Sequence, residues 1–298
     1  DGLTEDEMYP RITSENFLVS FYGRINYSLD SRYAFTFSIR SDGSSKFAPE
    51  QRWGVFPSAA AAWTISKEPW FKPAQKTMNG LKLRVGSGIV GNANLADNTY
   101  LPTYTNLESN FGVSYKTYNM PNYDGLTWEK TSSWNVGIDM QFLKNRIEMI
   151  VDLYNKDTRD LLLQTALPAY TGTSLTGSAQ PMWANVGSMN NRGIEVTFNA
   201  HILSKSPVKW KTSLMATATR NKITALNTDA GFIDKTLDFD GTGETVTRTA
   251  VNHGVSEFYG YQVAGRINSA EDYLRDNGDG TKTLQFIGDT TANGVSPL

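Results

Sequence analysis

The chain contains no cysteine and only two histidines, His201 and His253, among its 298 residues. Without cysteine there are no disulfides or thiolate metal sites, and two histidines far apart in sequence make a zinc centre a poor expectation. The formal net charge is −2, with both signs interspersed along the chain. A nucleic-acid-binding domain would carry a clustered basic patch, so nucleic acid is excluded as an expected partner.

Long hydrophobic runs are also missing. No stretch of about 18 consecutive apolar residues occurs, so the sequence predicts no transmembrane helix. Hydrophobic residues make up 39% of the chain and charged residues only 19%, but the hydrophobic residues are dispersed. Dispersal does not exclude a membrane protein made of strands, because only every second residue of such a strand faces lipid.

The hydrophobic residues instead alternate with polar ones, which is the period of a β-strand. Between Arg32 and Arg40 the odd-numbered positions are aromatic or aliphatic and the even-numbered ones, up to Ser38, are small. Most such stretches run about 9–11 residues or a little longer, the length that a tilted strand needs to cross a bilayer, whereas soluble strands are commonly shorter. Strands are predicted at Phe17–Ser28, Arg32–Arg40, Val55–Ser66, Leu81–Ile89, Trp134–Phe142, Ile147–Tyr154, Gly193–Ile202 and Val208–Arg220.

The connections between these strands alternate in length. The short ones are Leu29–Ser31, Leu143–Asn145 and Ser204–Pro207, and the long ones are Ser41–Arg52, Gly91–Thr127 and Asp157–Asn191. Bacterial outer-membrane barrels have short periplasmic turns and long extracellular loops, so the alternation favours that architecture. The segment Lys67–Asn79 is an exception of medium length.

The second face of the predicted strands is polar. A face of this kind requires water or a polar plug, which favours an arc of a large aqueous barrel over a narrow barrel filled with apolar side chains. A soluble β-sandwich whose polar faces meet solvent is the alternative. The residues assigned to the polar face include Arg24, Asn26, Lys82, Arg84, Asn135, Asp139, Gln141, Glu148, Asp152, Glu195 and Asn199.

Several sequence blocks, in this order and spacing, resemble the SusC/RagA-like TonB-dependent outer-membrane transporters. The resemblance covers most of the chain and thins after Ile267. The blocks are Ser38–Phe47, Arg52–Ser58, Leu81–Gly86 leading to Gly91-Asn92, Trp128–Thr131, Val151–Lys156 leading to Asp160–Leu162, Asn185–Gly187 leading to Asn191–Glu195, and Phe258–Tyr261.

The resemblance implies an all-β fold, an antiparallel transmembrane β-barrel segment from a barrel of about 22 strands around an amino-terminal plug. Residues 1–298 would form part of the carboxy-terminal barrel domain, with no plug and no TonB box visible, and 268–298 would be a loop or include a strand at Thr281–Ile287. Because Asp1 is not an initiator methionine and Ser296–Leu298 is loop-like, the chain is expected to be a piece of a longer protein.

The function implied by the resemblance is import of oligosaccharides or peptides across the cell outer membrane. A SusD-like surface lipoprotein, a TonB complex and membrane lipid would be the partners. No enzymatic activity and no cofactor are expected, because no nucleophile–base pair or phosphate-binding loop is visible. Alternatives are a siderophore- or vitamin-type TonB receptor, and a soluble β-sandwich that binds or hydrolyses glycans.

Candidate substrate-binding residues are aromatic. A ring packs on the C–H face of a sugar while nearby asparagines supply donors and acceptors. The same tyrosines fit packing of the loop on itself or the interfacial aromatic girdle equally well, and Trp183, taken alone, is favoured as a packing anchor. The candidates are Tyr100, Tyr104, Tyr115, Tyr118 and Tyr123 in the long loop Gly91–Thr127, and Trp183.

Three other motifs each have a functional and a structural interpretation. The segment Asp42–Phe47 with Arg52–Gly54 fits a substrate-contacting loop, but a turn that orders the loop base is favoured. Asp276–Gly280 suits calcium, yet the later glutamate that an EF-hand loop requires is missing, so a hairpin turn is favoured. Glu148 and Glu195 suggest a glycosidase carboxylate pair, although lumen solvation is the favoured explanation for them, as solvation is for His201.

Overall fold

The computed structural model describes residues 15–97, 99–101, 103–108, 114–119, 125–165, 182–203, 207–226, 231–239, 242–260, 274–276 and 282–284. For 103–108, 114–119, 274–276 and 282–284 it describes the backbone alone. No helix within these ranges is long and apolar enough to cross a membrane.

Eight strands form one antiparallel sheet in the order β1-β2-β3-β4-β7-β8-β9-β10. Each strand pairs with the next one along the chain, except that a separate two-stranded hairpin, β5-β6, lies within the connection from β4 to β7. The bounds are β1 (Leu18–Leu29), β2 (Tyr33–Ser44), β3 (Trp53–Trp63), β4 (Met78–Asn92), β5 (Thr103–Glu108), β6 (Ser114–Asn119), β7 (Glu129–Phe142), β8 (Ile147–Thr165), β9 (Met182–Leu203) and β10 (Trp210–Leu226).

Two small sheets follow the large one. Strands β11 (Phe232–Phe239), β12 (Thr242–Ala250) and β13 (Glu257–Phe258) pair in order, and β14 (Leu274–Asp276) pairs with β15 (Lys282–Leu284). The second pair confirms the hairpin interpretation of the segment Asp276–Gly280, with Asp276 opposite Lys282. The turn residues 277–281 themselves lie outside the described residues.

At one end of the large sheet, hereafter the short-turn end, the β1–β2 and β7–β8 connections are tight turns of residues in the left-handed region. Asp30 and Ser31 have φ of 51° and 54°, and Leu143, Lys144 and Asn145 have φ between 53° and 63°. Mirror-image turns of this kind match the twist of the strands they join. The β3–β4 connection at this end is longer and contains three short 3-10 helices, Ile65–Lys67, Pro69–Phe71 and Ala74–Lys76.

The register assigns every strand residue to one of two faces, because residues directly opposite each other in neighbouring strands lie on the same face. One row across the sheet contains Ala62, Arg84, Gly137, Asp152, Glu195 and Thr217, and its face is called the polar face. The adjacent row contains Leu83, Ile138, Val151, Val196 and Ala216, and its face is called the apolar face. The predicted alternation is therefore confirmed.

The apolar face is apolar over only part of the strand length. On β8 the outward positions are aliphatic from Ile147 to Leu153, after which Asn155 and Asp157 follow. On β9, Asn190 and Arg192 lie opposite these polar positions. Six residue steps at about 3.3 Å give a band of about 20 Å along the strand, which is about 15 Å in height at a strand tilt of about 40° and lies within the roughly 25 Å lipid-facing band of an outer-membrane barrel. The strands thus extend beyond the band at their other end, hereafter the long-loop end.

A buried carboxylate anchors the β3–β4 connection to the sheet. The Glu68 carboxylate accepts hydrogen bonds from the Tyr33 hydroxyl at 2.7 Å, the Trp63 indole nitrogen at 3.0 Å and the Arg32 guanidinium at 3.2 Å. Trp70 packs edge-on against Trp63 at 6.4 Å between ring centroids. The 3-10 helices are therefore held against the short-turn end by one charged group with three donors.

Replacing Glu68 with glutamine is expected to weaken this anchor in a pH-dependent way. The hydrogen bonds from Tyr33 and Trp63 lower the pKa of the Glu68 carboxyl below its ordinary value of 4.5. A lowered pKa contributes stability above the unfolded-state value, and that stability is lost as the pH falls through the folded-state value. The stability difference between the unsubstituted protein and E68Q should therefore be largest above about pH 4.5 and shrink below it.

The measurement is denaturant unfolding of the refolded full-length protein in lipid vesicles at several pH values. Glu50→Gln removes an exposed carboxylate from a 3-10 helix at the long-loop end and serves as the control, with a change within about 0.5 kcal/mol. A difference for E68Q that stays constant with pH contradicts the anchoring role.

Candidate functional site

A buried apolar cluster lies where the long connections leave the sheet at its long-loop end. Phe47 is 0% exposed, Leu126 is 1% exposed and Trp128 is 5% exposed. Ile89, Ala93 and Trp183 pack against this group. Its buried members, hereafter the loop-base cluster, are Phe47, Phe56, Leu95, Leu126, Trp128 and Leu162.

Aromatic rings form the centre of the loop-base cluster. The Trp128 ring lies 5.3 Å from the Phe47 ring and 5.4 Å from the Phe56 ring, the latter in an edge-on arrangement. Such pairs add stabilisation beyond the area they bury. A Cβ at Gly54 or at Gly91 would collide with the Phe56 ring. Glycine at these two positions therefore leaves the space that the Phe56 ring occupies beside Trp128.

Hydrogen bonds tie the β2–β3 connection to the ends of the long β4–β7 connection. The Trp128 indole nitrogen donates to the Arg52 carbonyl at 2.9 Å, and the Arg52 side chain donates to the Phe47 carbonyl at 3.2 Å. The Lys46 ammonium donates to the Leu95 carbonyl at 2.6 Å. Each bond satisfies a backbone carbonyl that the irregular chain would otherwise leave unpaired.

Asn185 joins the β8–β9 hairpin to the same assembly. Its side-chain oxygen accepts from the Thr127 amide at 2.8 Å, and its nitrogen donates to the carbonyls of Thr127 at 2.9 Å and Asp160 at 2.7 Å. Asp160 has a φ of 57° and lies in a bulge between Thr158 and Leu161. Aspartate tolerates this conformation better than most residues. The bases of three long loops are thus one connected unit.

The interpretation of Asp42–Phe47 as a turn that orders the loop base is correct only in part, because Asp42–Ser44 are the end of β2 and the chain leaves the strand after Ser44. The Asp42 carboxylate accepts from the Arg40 guanidinium at 2.7 Å, and the Phe47 side chain is fully covered. A fully covered side chain offers no surface to a ligand. Two residues that anchor the loop bases were not predicted to do so. One is Asn185, and the other is Glu129, whose carboxylate accepts a hydrogen bond from the Leu162 amide at 3.2 Å. Their only signal was their place in the Asn185–Gly187 and Trp128–Thr131 blocks.

The predicted substrate-binding residues fall into three groups. Trp183 lies on β9, partly buried against the loop-base cluster, and Tyr100 lies half-buried just before β5. In the β5–β6 hairpin the Cα atoms of Tyr104 and Tyr118 are opposite each other and Tyr115 is opposite Leu107, whereas Tyr123 lies outside the described residues. The structure brings Trp183 to the loop base, and a ligand-binding role for all six stays a prediction.

Charged residues on the polar face form a bridge across three strands. The Arg84 guanidinium contacts the Asp139 carboxylate at 2.7 Å and the Asp152 carboxylate at 2.9 Å. Each of the three side chains is about 30% exposed. Among the described residues no group of three or more acidic or histidine side chains is placed to hold a metal ion.

Glu148 and Glu195 lie apart on the polar face. Glu148 is opposite Asn199 and Glu195 is opposite Asp152, so the two glutamates are four residues out of register, about 13 Å along the strands. That offset exceeds the carboxylate separations of both retaining and inverting glycosidases, which reach at most about 9.5 Å. The solvated-lumen explanation therefore remains the better account of these two residues.

Glycines on the polar face provide space for large polar side chains to lie along the wall. A Cβ at Gly86 would meet the Asn135 side chain at 2.6 Å, one at Gly193 would meet the Tyr154 hydroxyl at 2.6 Å, and one at Gly137 would collide with the Asp152 carboxylate. Each large side chain therefore covers a glycine of the neighbouring strand. The polar face therefore stays nearly flat, although several of its side chains are long.

Replacing Gly137 with alanine is expected to cost about 1–3 kcal/mol, because the new methyl group must displace the Asp152 carboxylate and the Arg84 guanidinium that lie over it. Gly243→Ala is the control, since Gly243 is exposed on β12 and a Cβ there meets no atom within 4 Å. The measurement is denaturant unfolding of the full-length protein refolded in lipid vesicles. Similar stability for G137A and G243A would show that the bridge does not depend on the glycine.

Comparisons with known proteins agree with this architecture. The family model described as "TonB dependent receptor-like, beta-barrel" matches residues 1–294. The chain is 37% identical over 282 residues to the TonB-dependent receptor SusC of Bacteroides thetaiotaomicron, which covers 90% of this chain and 28% of that receptor. It is 33% identical over 276 residues to the TonB-dependent receptor P26 of Formosa agariphila, which covers 91% of this chain and 26% of that receptor.

Among solved structures, the RagAB peptide importer in its "closed-closed" state matches with a TM-score of 0.73 at 23% identity. The match covers 91% of this chain and 29% of that one, and at this identity it shows the fold alone. The chain spans less than a third of the length of the curated relatives it matches.

Proposed function

The chain belongs to the TonB-dependent receptor-like β-barrel family, and on this premise we propose that it forms part of the wall of a transporter that imports oligosaccharides or peptides. The domain is an outer-membrane, all-β antiparallel barrel segment that is not closed on itself. In the proposed whole protein a plug fills the lumen, a TonB complex supplies energy, and a SusD-like surface lipoprotein covers the long-loop end.

One observation carries this proposal, the contrast between the two faces of a single-layer sheet. The apolar face has a band about 20 Å long along the strand, which a tilted strand places within the lipid-facing height of a barrel, and the polar face fits a water-filled lumen. A soluble sandwich would cover its apolar face with a second sheet. The family model shows a barrel fold, so the sandwich interpretation is wrong, and apolar-face side chains such as Phe37 and Leu153 are exposed in the described part of the sheet.

Substrate capture is proposed to take place at the long-loop end. The loop-base cluster holds the ends of three long loops together, so residues on those loops are positioned by a rigid support. This placement supports, without testing, a role for the tyrosines of the β5–β6 region and for Trp183. In this proposal Trp183 packs against the loop-base cluster and helps to hold the β8–β9 hairpin.

The proposal includes no catalytic step. The relatives named above are receptors, and the offset between Glu148 and Glu195 does not suit glycoside hydrolysis. The chain would act by binding and passage, with a ligand received at one end of the barrel and released at the other.

The experiment that tests the proposal uses the full-length gene product in its own outer membrane. We expect it to fractionate with that membrane as a heat-modifiable barrel, to co-purify with a lipoprotein, and to take up labelled oligosaccharide or peptide only while the membrane is energised. A soluble product without a lipoprotein partner overturns the proposal. Uptake that continues after de-energisation would show a passive pore instead.

A further inference from the structure

A shallow groove follows strand β3 on the apolar face of the sheet. Its volume is about 480 Å³. The floor of the groove is low because two successive outward residues of β3 are Ala59 and Ala61, and Ser87 of β4 lies opposite Ala59. All three residues are exposed. The groove faces away from the lumen, so neither closure of the barrel nor a plug inside it would cover these residues.

Aromatic rings form the two sides of the groove. Phe35 and Phe37 of β2 lie opposite the two alanines, and Trp134 of β7 lies opposite Ser87. Phe37 is 49% exposed and Trp134 is 48% exposed. The backbones that carry these two rings are three strand spacings apart, about 14 Å. The space between the rings is therefore wide enough for an extended hydrocarbon chain.

At the short-turn end the groove meets a cluster of aromatic rings. Trp63, the last residue of β3, follows Ala61 on the same face and lies opposite Tyr33. The Trp63 and Tyr33 rings are stacked with centroids 6.4 Å apart, and the Trp70 ring packs edge-on against Trp63. Trp70 itself is 63% exposed. Tryptophan and tyrosine rings that are only partly covered are typical of the headgroup level of a membrane.

The β3–β4 connection adds positive charge next to these rings. Three of its lysines, Lys67, Lys72 and Lys76, are exposed, and within the described part of the chain none of them forms an ion pair. The only acidic residue between Ile65 and Thr77 is Glu68, whose carboxylate is already bound by three donors. The groove therefore ends at three ammonium groups that have no counterion.

The groove and the lysines together match a phospholipid with an anionic headgroup. The apolar face of a membrane barrel is already in contact with lipid, so the groove is continuous with the bilayer. Within a bilayer, apolar contact alone gives little preference for one neighbour over another. The preference must come from the headgroup, and basic residues beside a membrane attract anionic lipids. A second copy of the chain, docked through the same face, would instead bring like charges together.

We infer that the groove and the β3–β4 connection form a binding site for one anionic phospholipid from the leaflet at the short-turn end. Its acyl chain would lie along Ala59 and Ala61, and its phosphate would lie at the lysines. The inference rests on the outer-membrane barrel fold and does not depend on which substrate is transported. It gives a role to the one connection of medium length at this end of the sheet.

The test uses the full-length protein, purified with its partners in a mild detergent, and native mass spectrometry. The probes are dioleoylphosphatidylglycerol and dioleoylphosphatidylcholine, which have the same chains but differ in net charge. We expect one phosphatidylglycerol per barrel, bound about tenfold more tightly than phosphatidylcholine. The double variant K67Q/K72Q should lose this preference. The matched variant K209Q/K211Q removes two exposed lysines on or next to β10, at the same end of the sheet, and should keep it.

A second pair of variants tests the groove and leaves every lysine in place. Ala61→Phe fills the groove and is expected to weaken phosphatidylglycerol binding about tenfold. Ala216→Phe makes the same change at an exposed residue on the apolar face of β10, outside the groove, and should leave binding unchanged. Heat-modifiable mobility on gels confirms that each variant is folded.

Three results would overturn the inference: equal binding of the two lipids, an equal loss in K209Q/K211Q, or unchanged binding in A61F. A lipid-free dimer of barrels that A61F dissociates would identify a second copy of the chain as the occupant, and would overturn it as well. No measurement here depends on transport. Failure to import any nutrient would therefore count against the proposed function alone, and failure to bind lipid would count against this inference alone.

Discussion

Val196→Arg is expected to lower the free energy of unfolding of the membrane-embedded full-length protein by about 2–4 kcal/mol. Val196 lies on the apolar face of β9, opposite Val151 on one side and Ala216 on the other. Its position is near the middle of the apolar band, two residues from Ile194 and from Phe198. An arginine there must leave its charge in hydrocarbon or bend it toward the interface, and both options cost free energy.

Thr197→Arg provides a matched control, because threonine has nearly the shape of valine and Thr197 is the next residue of the same strand. Its side chain lies on the polar face, opposite Ile150 and Met215. There an arginine reaches water, so we expect a loss below about 1 kcal/mol. Urea unfolding in lipid vesicles, followed by the heat-modifiable shift in gel mobility, measures both. Equal losses of unfolding free energy for the two variants would mean that the apolar and polar faces are in contact with the same solvent.

Trp128→Ala is expected to cost about 3–5 kcal/mol at the loop bases. The indole is 5% exposed, packs against the rings of Phe47 and Phe56, and donates to the Arg52 carbonyl. Its removal leaves a cavity and an unpaired carbonyl. Because the cluster lies outside the apolar band, the effect should be local opening of the loop bases, measured as faster protease cleavage in the connections 93–128 and 45–52.

Trp134→Ala removes the same side chain from the apolar face, where it is 48% exposed. We expect W134A to leave loop cleavage unchanged. Trp128→Phe keeps most of the packing but loses the hydrogen bond, so its cleavage rate should lie between those of the unsubstituted protein and W128A. If W134A opens the loops as much as W128A, the loop-base cluster is not what holds them.

The sequence predicted the strands best where they cross the apolar band. The beginning of β8 at Ile147 was predicted correctly, but its end was placed at Tyr154 and the strand continues to Thr165. Similarly, β9 was predicted to start at Gly193 and starts at Met182. Beyond the band both faces meet water, so alternation disappears from the sequence, and only pairing between the two strands maintains the extended conformation.

The loop-base cluster could not be predicted from local pattern. Phe47, in the β2–β3 connection, Trp128, just before β7, and Leu162, on β8, are separated by more than thirty residues each, and only the register brings them together. Only the segment Asp42–Phe47 with Arg52–Gly54 was predicted to order a loop base, and the structure confirms that this loop base is ordered. The strands β11 and β12 were also missed, because Thr242–Ala250 is rich in threonine and has no clear apolar face.

The residues that attach the long loops to the sheet are different from the residues at the loop tips. Phe47, Trp128 and Asn185 attach the loop bases to the sheet with side chains that belong to the strand ends or to the residues next to them. Between these attachment points a loop tip is therefore free to change in sequence and length without disturbing the wall beneath it. In the proposed transporter, replacing loop tips would therefore change the ligand that is bound, while the strand ends that hold the loops stay the same.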